Sequence, residues 1–253
     1  MFINTLRRLV TYLRRFFKIF LCGIIDLKLL YASLTVLVHY VYFILIINRK
    51  IESQYRREKK EFIELCDIKL KFNQRDLFSN NVPSWLYIFD KFSLFDKKLK
   101  ALEIGSYEGR SSFFLLKKLK RTELTCVDTF KPFHELKGDY PEKFNQIYEN
   151  FKYNTQEFSE RAVVFKQDSK NFFLKNRDKF DLIYVDGSHE PEDVYRDLNN
   201  SFDVCEIGGI IWVDDYGSDY KSLHRTIERW LQEHQESIQI IHKRYQVGFT
   251  KLK

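Results

Sequence analysis

The sequence predicts an α/β fold in which a doubly wound, mostly parallel sheet carries helices on both faces. From Lys98 to the C-terminus, short apolar runs alternate with longer polar stretches of helical spacing. The apolar runs are continuous, as expected for strands that are covered on both faces. A chain of 253 residues can form one such domain of about two hundred residues and still leave an N-terminal segment.

Five apolar runs are the predicted parallel strands, in chain order LKALEIG, ELTCVDTF, AVVFKQDS, FDLIYVDG and GGIIWVDDY. The predicted helices are SSFFLLKKLK, PEKFNQIYENFKYN, SKNFFLKN, PEDVYRDLNNSF and SLHRTIERWLQEH. The last two runs, IQIIHKR and QVGFTKL, are close enough in the chain to form an antiparallel hairpin on the sheet edge. We therefore expect a Rossmann-like domain over residues 98–253, preceded by a helical lead-in over residues 61–97.

Residues 1–60 are predicted to associate with a membrane. Residues 29–47 carry no Asp, Glu, Lys or Arg, and at about 1.5 Å per residue such a helix reaches roughly 28 Å, near the thickness of a bilayer core. Residues 2–20 place apolar and basic side chains on opposite sides of a helix, which suits an anionic membrane surface. A transmembrane helix over 29–47 is the favoured interpretation; an interfacial arrangement and a buried soluble helix are the alternatives.

The formal net charge of +7 is unevenly distributed. Residues 1–60 hold 12 Lys or Arg against 3 Asp or Glu, which leaves 30 basic against 32 acidic residues in the remainder. The predicted catalytic region therefore lacks the basic surface that nucleic-acid binding needs, and we do not expect a nucleic-acid partner. The four cysteines lie far apart without metal-binding spacing, which favours reduced thiols.

The segment after the first predicted strand is typical of a nucleoside site. Gly105 allows a close approach of the backbone to a ligand, and Gly109 allows the turn into the next helix. Asp128 ends the second strand, where a carboxylate can accept hydrogen bonds from ribose hydroxyls. The alternative is a plain turn with a solvated aspartate. A dinucleotide is disfavoured because GSYEG places Tyr107 where the GxGxxG pattern has its second glycine, whereas a nucleoside ligand without phosphates makes no such demand.

An acidic cluster is predicted at the ends of the fourth and fifth strands, formed by Asp186, Asp214 and Asp215. Adjacent strands lie about 4.8 Å apart, so these carboxylates can converge, and a Mg²⁺-type cation would relieve their repulsion. His189, three residues after Asp186, is a candidate base for a hydroxyl proton. The alternative is that the aspartates cap helices and that His189 is a loop histidine.

The segments ALEIGSYEGRSS, LTCVDTF, YVDGSHEPEDVYRDL and GGIIWVDDY resemble the class I S-adenosylmethionine-dependent methyltransferases. The similarity extends from about Asn81 to the C-terminus and does not cover residues 1–60. The DGSH element is similar to that of macrolide-sugar O-methyltransferases and cephalosporin-hydroxylase-like proteins. The resemblance implies S-adenosylmethionine as cosubstrate, bound by residues Glu103, Gly105, Ser106, Tyr107, Gly109, Asp128, Thr129, Asp168 and Ser169. It places Glu103 and Gly105 at the methionine end, Asp128 at the ribose, and Asp168 with Ser169 at the adenine.

The same resemblance implies Mg²⁺ ligands at Asp186, Asp214 and Asp215, with His189 and Asp186 in catalysis. These relatives tend to carry Glu-Asp where this chain has Asp214-Asp215. We expect O-methylation of a hydroxyl on a sugar or on another small or lipid-linked acceptor. Because S-adenosylmethionine is kept in the cytosol, the catalytic domain is expected on the cytoplasmic side of the membrane. A non-catalytic membrane-tethered binding module and an NAD-dependent oxidoreductase are the alternative functions.

Overall fold

The computed structural model describes residues 48–73, 75–131, 146–218 and 220–253. The predicted transmembrane helix over 29–47 and the amphipathic stretch before it lie outside these ranges, so both stay predictions. Within the described ranges, no helix combines the length and the apolar character needed to cross a membrane. Residues 57–253 form one compact unit.

The helices of the described residues are α1 (Asn48–Gln54), α2 (Arg56–Lys69), α3 (Val82–Lys91), α4 (Arg110–Lys118), α5 (Ile147–Thr155), α6 (Ser169–Lys175), α7 (Pro191–Val204) and α8 (Lys221–Glu233). The strands are β1 (Leu99–Ile104), β2 (Thr122–Asp128), β3 (Ala162–Lys166), β4 (Phe180–Val185), β5 (Cys205–Val213), β6 (Ile238–Lys243) and β7 (Val247–Lys251).

The seven strands form one sheet in the order β3-β2-β1-β4-β5-β7-β6. Strands β1 to β5 pair in parallel, and β7 pairs antiparallel with both β5 and β6. The predicted Rossmann-like sheet and its C-terminal antiparallel hairpin are therefore confirmed. The hairpin inserts β7 next to β5, so that β6 becomes the edge strand.

The order of the strands reverses at β1, which pairs with β2 on one side and β4 on the other. Ile104, the last residue of β1, is in register with Val127 of β2 and Val185 of β4. The carboxyl ends of the three central strands therefore meet at one edge, where a crevice for ligands is expected in an open parallel sheet.

The lead-in helices α2 and α3 contribute aromatic side chains to the core. The ring of Trp85 on α3 lies 4.8 Å from the ring of Trp212 and 5.1 Å from that of Tyr184. Phe62 on α2 packs edge-on against Phe114 of α4 at 5.2 Å. Such aromatic pairs are favourable beyond the area that they bury. These helices are thus an integral part of the catalytic unit.

Candidate active site

Asp128 joins the loop after β1 to the end of β2. Its Oδ2 accepts a hydrogen bond of 2.7 Å from the backbone N–H of Tyr107, and its Oδ1 accepts one from Phe130. Burial raises the pKa of Asp128, and these two backbone donors oppose the rise. Each carboxylate oxygen can accept a second hydrogen bond, so the carboxylate retains capacity for ribose hydroxyls. The structure thus brings together Asp128 and residues 105–109, which we call the glycine loop, as the sequence predicts.

The glycine loop holds three residues in the left-handed backbone region, with φ of 90° at Gly105, 46° at Tyr107 and 82° at Gly109. A β-carbon on Gly105 would lie 1.9 Å from the carbonyl oxygen of Asp186. The absent side chain at Gly105 therefore permits a close contact between the ends of β1 and β4. Tyr107 is a bulky residue at positive φ, and backbone strain of this kind is concentrated at functional sites.

Glu103 and Ser106 lie inside the protein. Glu103 is 0 % exposed, and its Oε2 accepts a hydrogen bond from the hydroxyl of Ser112 on α4. Burial raises the pKa of Glu103, while the hydroxyls of Ser111, Ser112 and Ser106 oppose that rise. Glu103 therefore fixes the first turn of α4 relative to β1, a supporting position rather than one on an open wall of the crevice.

The predicted adenine-side residues follow β3. Asp168 caps α6, because its Oδ1 accepts the backbone N–H of Asn171 at 2.7 Å. Ser169 donates its hydroxyl to Asp197 of α7 at 2.7 Å. Thr129, next to Asp128, accepts the backbone N–H of Lys131 at 3.3 Å. These side chains hold the loop backbone in place at the carboxyl ends of β2 and β3.

A segment between α2 and α3 also contacts the glycine loop, and we call residues 70–73 and 75–78 the strap. Glu108 of the loop accepts the backbone N–H of Asn73 at 3.0 Å. Arg110, the first residue of α4, pairs with Asp76 at 3.2 Å. Sequence reasoning did not find this contact, because the strap carries no recognisable motif and lies more than thirty residues before the loop.

Asp186 and Asp214 share the phenol of Tyr184. The Tyr184 hydroxyl lies 3.0 Å from Oδ2 of Asp186 and 2.5 Å from Oδ2 of Asp214. Burial, together with the neighbouring aspartates, raises the pKa of Asp186 well above its usual range. Burial and the charge of Asp215 raise the pKa of Asp214 to about 6, although hydrogen bonds oppose this. The pair is therefore an acidic site that retains a proton more readily than isolated aspartates do.

Asp215 is paired with the imidazole of His189. Its Oδ2 lies 2.9 Å from Nε2 of His189, its Oδ1 accepts the phenol of Tyr245, and its backbone φ is 54°. Burial alone would raise the pKa of Asp215. The hydrogen bonds from His189 and Tyr245 outweigh this effect, so the pKa of Asp215 lies below its ordinary value. This is the arrangement of a carboxylate that orients an imidazole and balances its charge.

Two of the three predicted metal ligands, Asp214 and Asp215, do not fit a cation as they are placed. Carboxylates are suitable ligands for Mg²⁺, yet Oδ2 of Asp214 already accepts two protein hydrogen bonds, and Oδ2 of Asp215 is paired with a ring nitrogen of His189. In the part of the chain that the structure describes, no group of three or more His, Cys, Asp or Glu residues is arranged to hold a metal ion. No catalytic step is therefore derived through a metal.

A small hollow of about 10 Å³, enough for a single water molecule, lies beside these residues. It is lined by Val185, Asp186, Gly187, Ser188, His189, Val194, Val213, Asp214, Asp215 and Leu223. The polar part of the lining contains His189 and the aspartates, and the rest is apolar. An acceptor hydroxyl at the opening of this hollow would meet the histidine, whereas the hollow itself is too small to hold a sugar ring.

Three further residues complete the cluster and were not found from the sequence: Tyr184 in β4, and Tyr245 and Gln246 in the turn between β6 and β7. Gln246 is 1 % exposed, and its Nε2 donates to Asp214 at 3.0 Å. The available signal was a glutamine directly before the strand residues of the run QVGFTKL. A buried amide needs polar partners, which points to a polar site nearby.

The chain matches the family described as "Methyltransferase domain" over residues 102–216, a range that contains the glycine loop, Asp128, Asp186, His189 and Asp215. No curated protein matches the chain in sequence.

Several solved structures share the fold. SAH-bound PaMTH1 from Podospora anserina is 13% identical, with 77% of this chain and 87% of that chain covered at a TM-score of 0.53. A protein described as an O-methyltransferase from Klebsiella pneumoniae is 12% identical, with 85% and 96% covered at 0.51. A protein described as an RNA methyltransferase from Pyrococcus horikoshii is 16% identical, with 77% and 96% covered at 0.52.

The strand order, the loop joined to Asp128 and the family match over the same residues lead to one conclusion. Residues 102–216 carry a methyltransferase domain, and the chain is an S-adenosylmethionine-dependent methyltransferase whose fold resembles that of the class I enzymes.

Proposed function

We propose that the enzyme transfers the methyl group of S-adenosylmethionine to a hydroxyl oxygen of its acceptor, with His189 as the base. The observation that carries this proposal is the 2.9 Å contact between His189 Nε2 and Asp215 Oδ2, two residues that line the hollow. A histidine oriented in this way can remove a hydroxyl proton near neutral pH.

In the proposed step, the acceptor oxygen attacks the sulfonium methyl carbon in line with the bond to sulfur. The O–CH₃ bond forms, the S–CH₃ bond breaks with its electron pair remaining on sulfur, and the hydroxyl proton passes to the imidazole. The positive charge thus moves from the sulfonium to His189. Because Nε2 is directed to Asp215, the proton is taken up at Nδ1, and the carboxylate stabilises the imidazolium that forms.

Asp186 and Asp214 act as a rigid support for this step. Asp186 donates its backbone N–H to the carbonyl of Ile104 in β1, and Asp214 donates its own to the carbonyl of Val185 in β4. These bonds fix the ends of β4 and β5 relative to the glycine loop. Alignment of the acceptor and the cosubstrate is the largest contribution that such a scaffold can make to methyl transfer.

The test uses the full-length enzyme, S-adenosylmethionine and a panel of hydroxylated acceptors that includes free sugars and lipid-linked sugars, with S-adenosylhomocysteine formation as the readout. We expect acceptor-dependent turnover that His189→Ala lowers by about 10²- to 10⁴-fold without weakening cosubstrate binding. His234→Ala is the matched control, since His234 packs on Trp230 at the end of α8. Equal rates for His189→Ala and His234→Ala would remove His189 from the mechanism.

We also propose that residues 29–47 anchor the enzyme in a membrane, with the catalytic domain on the cytoplasmic side. The uncharged run and its basic flanks support this proposal, and so does the cytosolic supply of S-adenosylmethionine. An anchored enzyme would favour an acceptor at the membrane, such as a lipid-linked sugar. Alkaline carbonate extraction of membranes tests the anchor, and release of the full-length chain into the soluble fraction would contradict it.

A further inference from the structure

We propose that Tyr184, Tyr245 and Gln246 form a hydrogen-bonded clasp on the acidic cluster, and that this clasp takes the place of a divalent cation in the reaction. The enzyme would then transfer methyl groups without a bound metal. The catalytic half of this inference rests on the proposed function, whereas its cation-binding half does not.

Asp214 accepts three of the hydrogen bonds that fix the acidic cluster. Its Oδ2 accepts hydrogen bonds from the phenol of Tyr184 at 2.5 Å and from Nε2 of Gln246 at 3.0 Å, and its Oδ1 accepts the backbone N–H of Asp215 at 2.7 Å. The residue is 8 % exposed. A cation at this carboxylate would have to displace donors that are buried with it, and each displaced donor would lose its partner.

The orientation of Gln246 is fixed by a second contact. The indole N–H of Trp212 donates to Oε1 of Gln246 at 2.7 Å, so the amide nitrogen of Gln246 must face Asp214 and Tyr184. Trp212 itself is 0 % exposed and packs against Trp85. An amide nitrogen is a donor and cannot coordinate a cation, so this side of the cluster presents hydrogen-bond donors rather than metal ligands.

Tyr245 extends the clasp to the catalytic histidine. Its phenol donates to Oδ1 of Asp215, whose other oxygen contacts His189. The turn that carries Tyr245 is held close to the loop after β5, because Gly217 donates its backbone N–H to the carbonyl of Tyr245 at 2.8 Å. The two oxygens of Asp215 are thereby directed toward protein donors, and the carboxylate acts as a positioning group for His189.

The clasp can therefore replace the structural role of a cation, which would be to hold the acidic residues together. It holds Asp186, Asp214 and Asp215 close together, and it keeps His189 at a fixed position beside the hollow. It cannot supply Lewis-acid activation of the acceptor hydroxyl. Removal of the proton would then depend on His189 alone, and the rate should not respond to divalent cations.

The first test measures binding of Mn²⁺ and Mg²⁺ to the EDTA-treated full-length protein, by calorimetry and by electron paramagnetic resonance of Mn²⁺, with and without S-adenosylmethionine. We expect no saturable site in either state. One bound Mn²⁺ per chain that is lost in Asp214→Asn and kept in the exposed-surface control Asp203→Asn would overturn the proposal. Binding of S-adenosylmethionine is measured on the same samples, so a failure of cosubstrate binding is separated from the cation result.

The second test compares Tyr245→Phe and Gln246→Leu with the parent enzyme. We expect kcat to fall about tenfold in each, with KM for S-adenosylmethionine unchanged and with no recovery on adding Mn²⁺ or Mg²⁺. Unfolding in urea shows whether each variant is folded. Loss of activity on EDTA treatment of the parent enzyme, with restoration by Mg²⁺, would also overturn the proposal.

Discussion

The backbone nitrogen of Tyr107 and the Oδ2 atom of Asp128 lie 2.7 Å apart, so one hydrogen bond joins the strained loop after β1 to the end of β2. The two structural elements that a nucleoside would contact are therefore held as one unit before any ligand arrives. The first prediction concerns this bond.

We expect Asp128→Asn to weaken binding of S-adenosylmethionine about tenfold or more. The amide replaces one acceptor oxygen by a donor that would face a backbone N–H, either that of Tyr107 or that of Phe130. Titration calorimetry measures the effect. An Asp178→Asn variant, altered at an exposed carboxylate, serves as control, and equal affinities for the two variants would contradict a ribose-binding role.

Asp215→Asn is expected to lower kcat more than it changes KM for either substrate. The neutral amide can keep a contact with Tyr245 or with His189, but it cannot balance the charge of the imidazolium. A reduction of about 10- to 10³-fold follows from the loss of a carboxylate that supports a general base. Steady-state kinetics measure the effect, and an equal kcat in the variant and the parent enzyme would contradict a supporting role for Asp215.

Gly105→Ala should destabilise the fold through contact with the neighbouring strand. The new β-carbon would lie 1.9 Å from the carbonyl oxygen of Asp186, and φ at this position is 90°. We expect a loss of more than about 3 kcal/mol in the free energy of unfolding. Gly208→Ala is the matched control, because φ there is 81° but no atom lies within 4 Å of the added carbon. Urea unfolding compares them, and similar losses in both variants would show that backbone strain alone is responsible.

Asp197 is expected to make the stability of the fold depend on pH. Burial raises its pKa from 3.8 to about 6, opposed by the hydroxyl of Ser169 and the charge of Arg196, and the residue is 2 % exposed. The folded state therefore binds this proton more tightly than the unfolded state does. The stability from Asp197 is fully present below about pH 4 and is lost as pH rises through about 6, by up to about 3 kcal/mol.

Asp197→Asn removes this titration and keeps an acceptor for Ser169. Between about pH 4 and about pH 7, the parent protein should lose stability relative to the variant by that amount. Urea unfolding at several pH values measures the difference. Parallel pH profiles for the two proteins would show that Asp197 is ionised alike in the folded and unfolded states.

The sequence was sufficient for the sheet and for the residues at the ends of its strands. Gly105, Asp128, Asp186 and Asp214 each follow a continuous apolar run, and a parallel sheet gathers such ends at one edge. Local pattern and fold topology therefore specify the same positions. The binding and catalytic roles of these residues remain predictions that the experiments above address.

The partners of the carboxylates could not be read from the sequence. Tyr245 lies 30 residues from Asp215, and Gln246 lies 32 residues from Asp214, in a turn whose position depends on β7 pairing with β5. A cluster of acids in a sequence can be stabilised equally well by a cation or by protein donors. Only the position of the hairpin distinguishes the two.

The contacts of the strap indicate that the catalytic domain needs residues ahead of the family match. The family match starts at residue 102, yet Asn73 and Asp76 hold Glu108 and Arg110, and Trp85 covers the aromatic face of the sheet. A protein trimmed to the matched range would leave that face exposed to solvent and would deprive the glycine loop of its anchor. Expression of the isolated domain should therefore start ahead of α2, and poor solubility of shorter versions would reflect the missing lead-in rather than a defective catalytic fold.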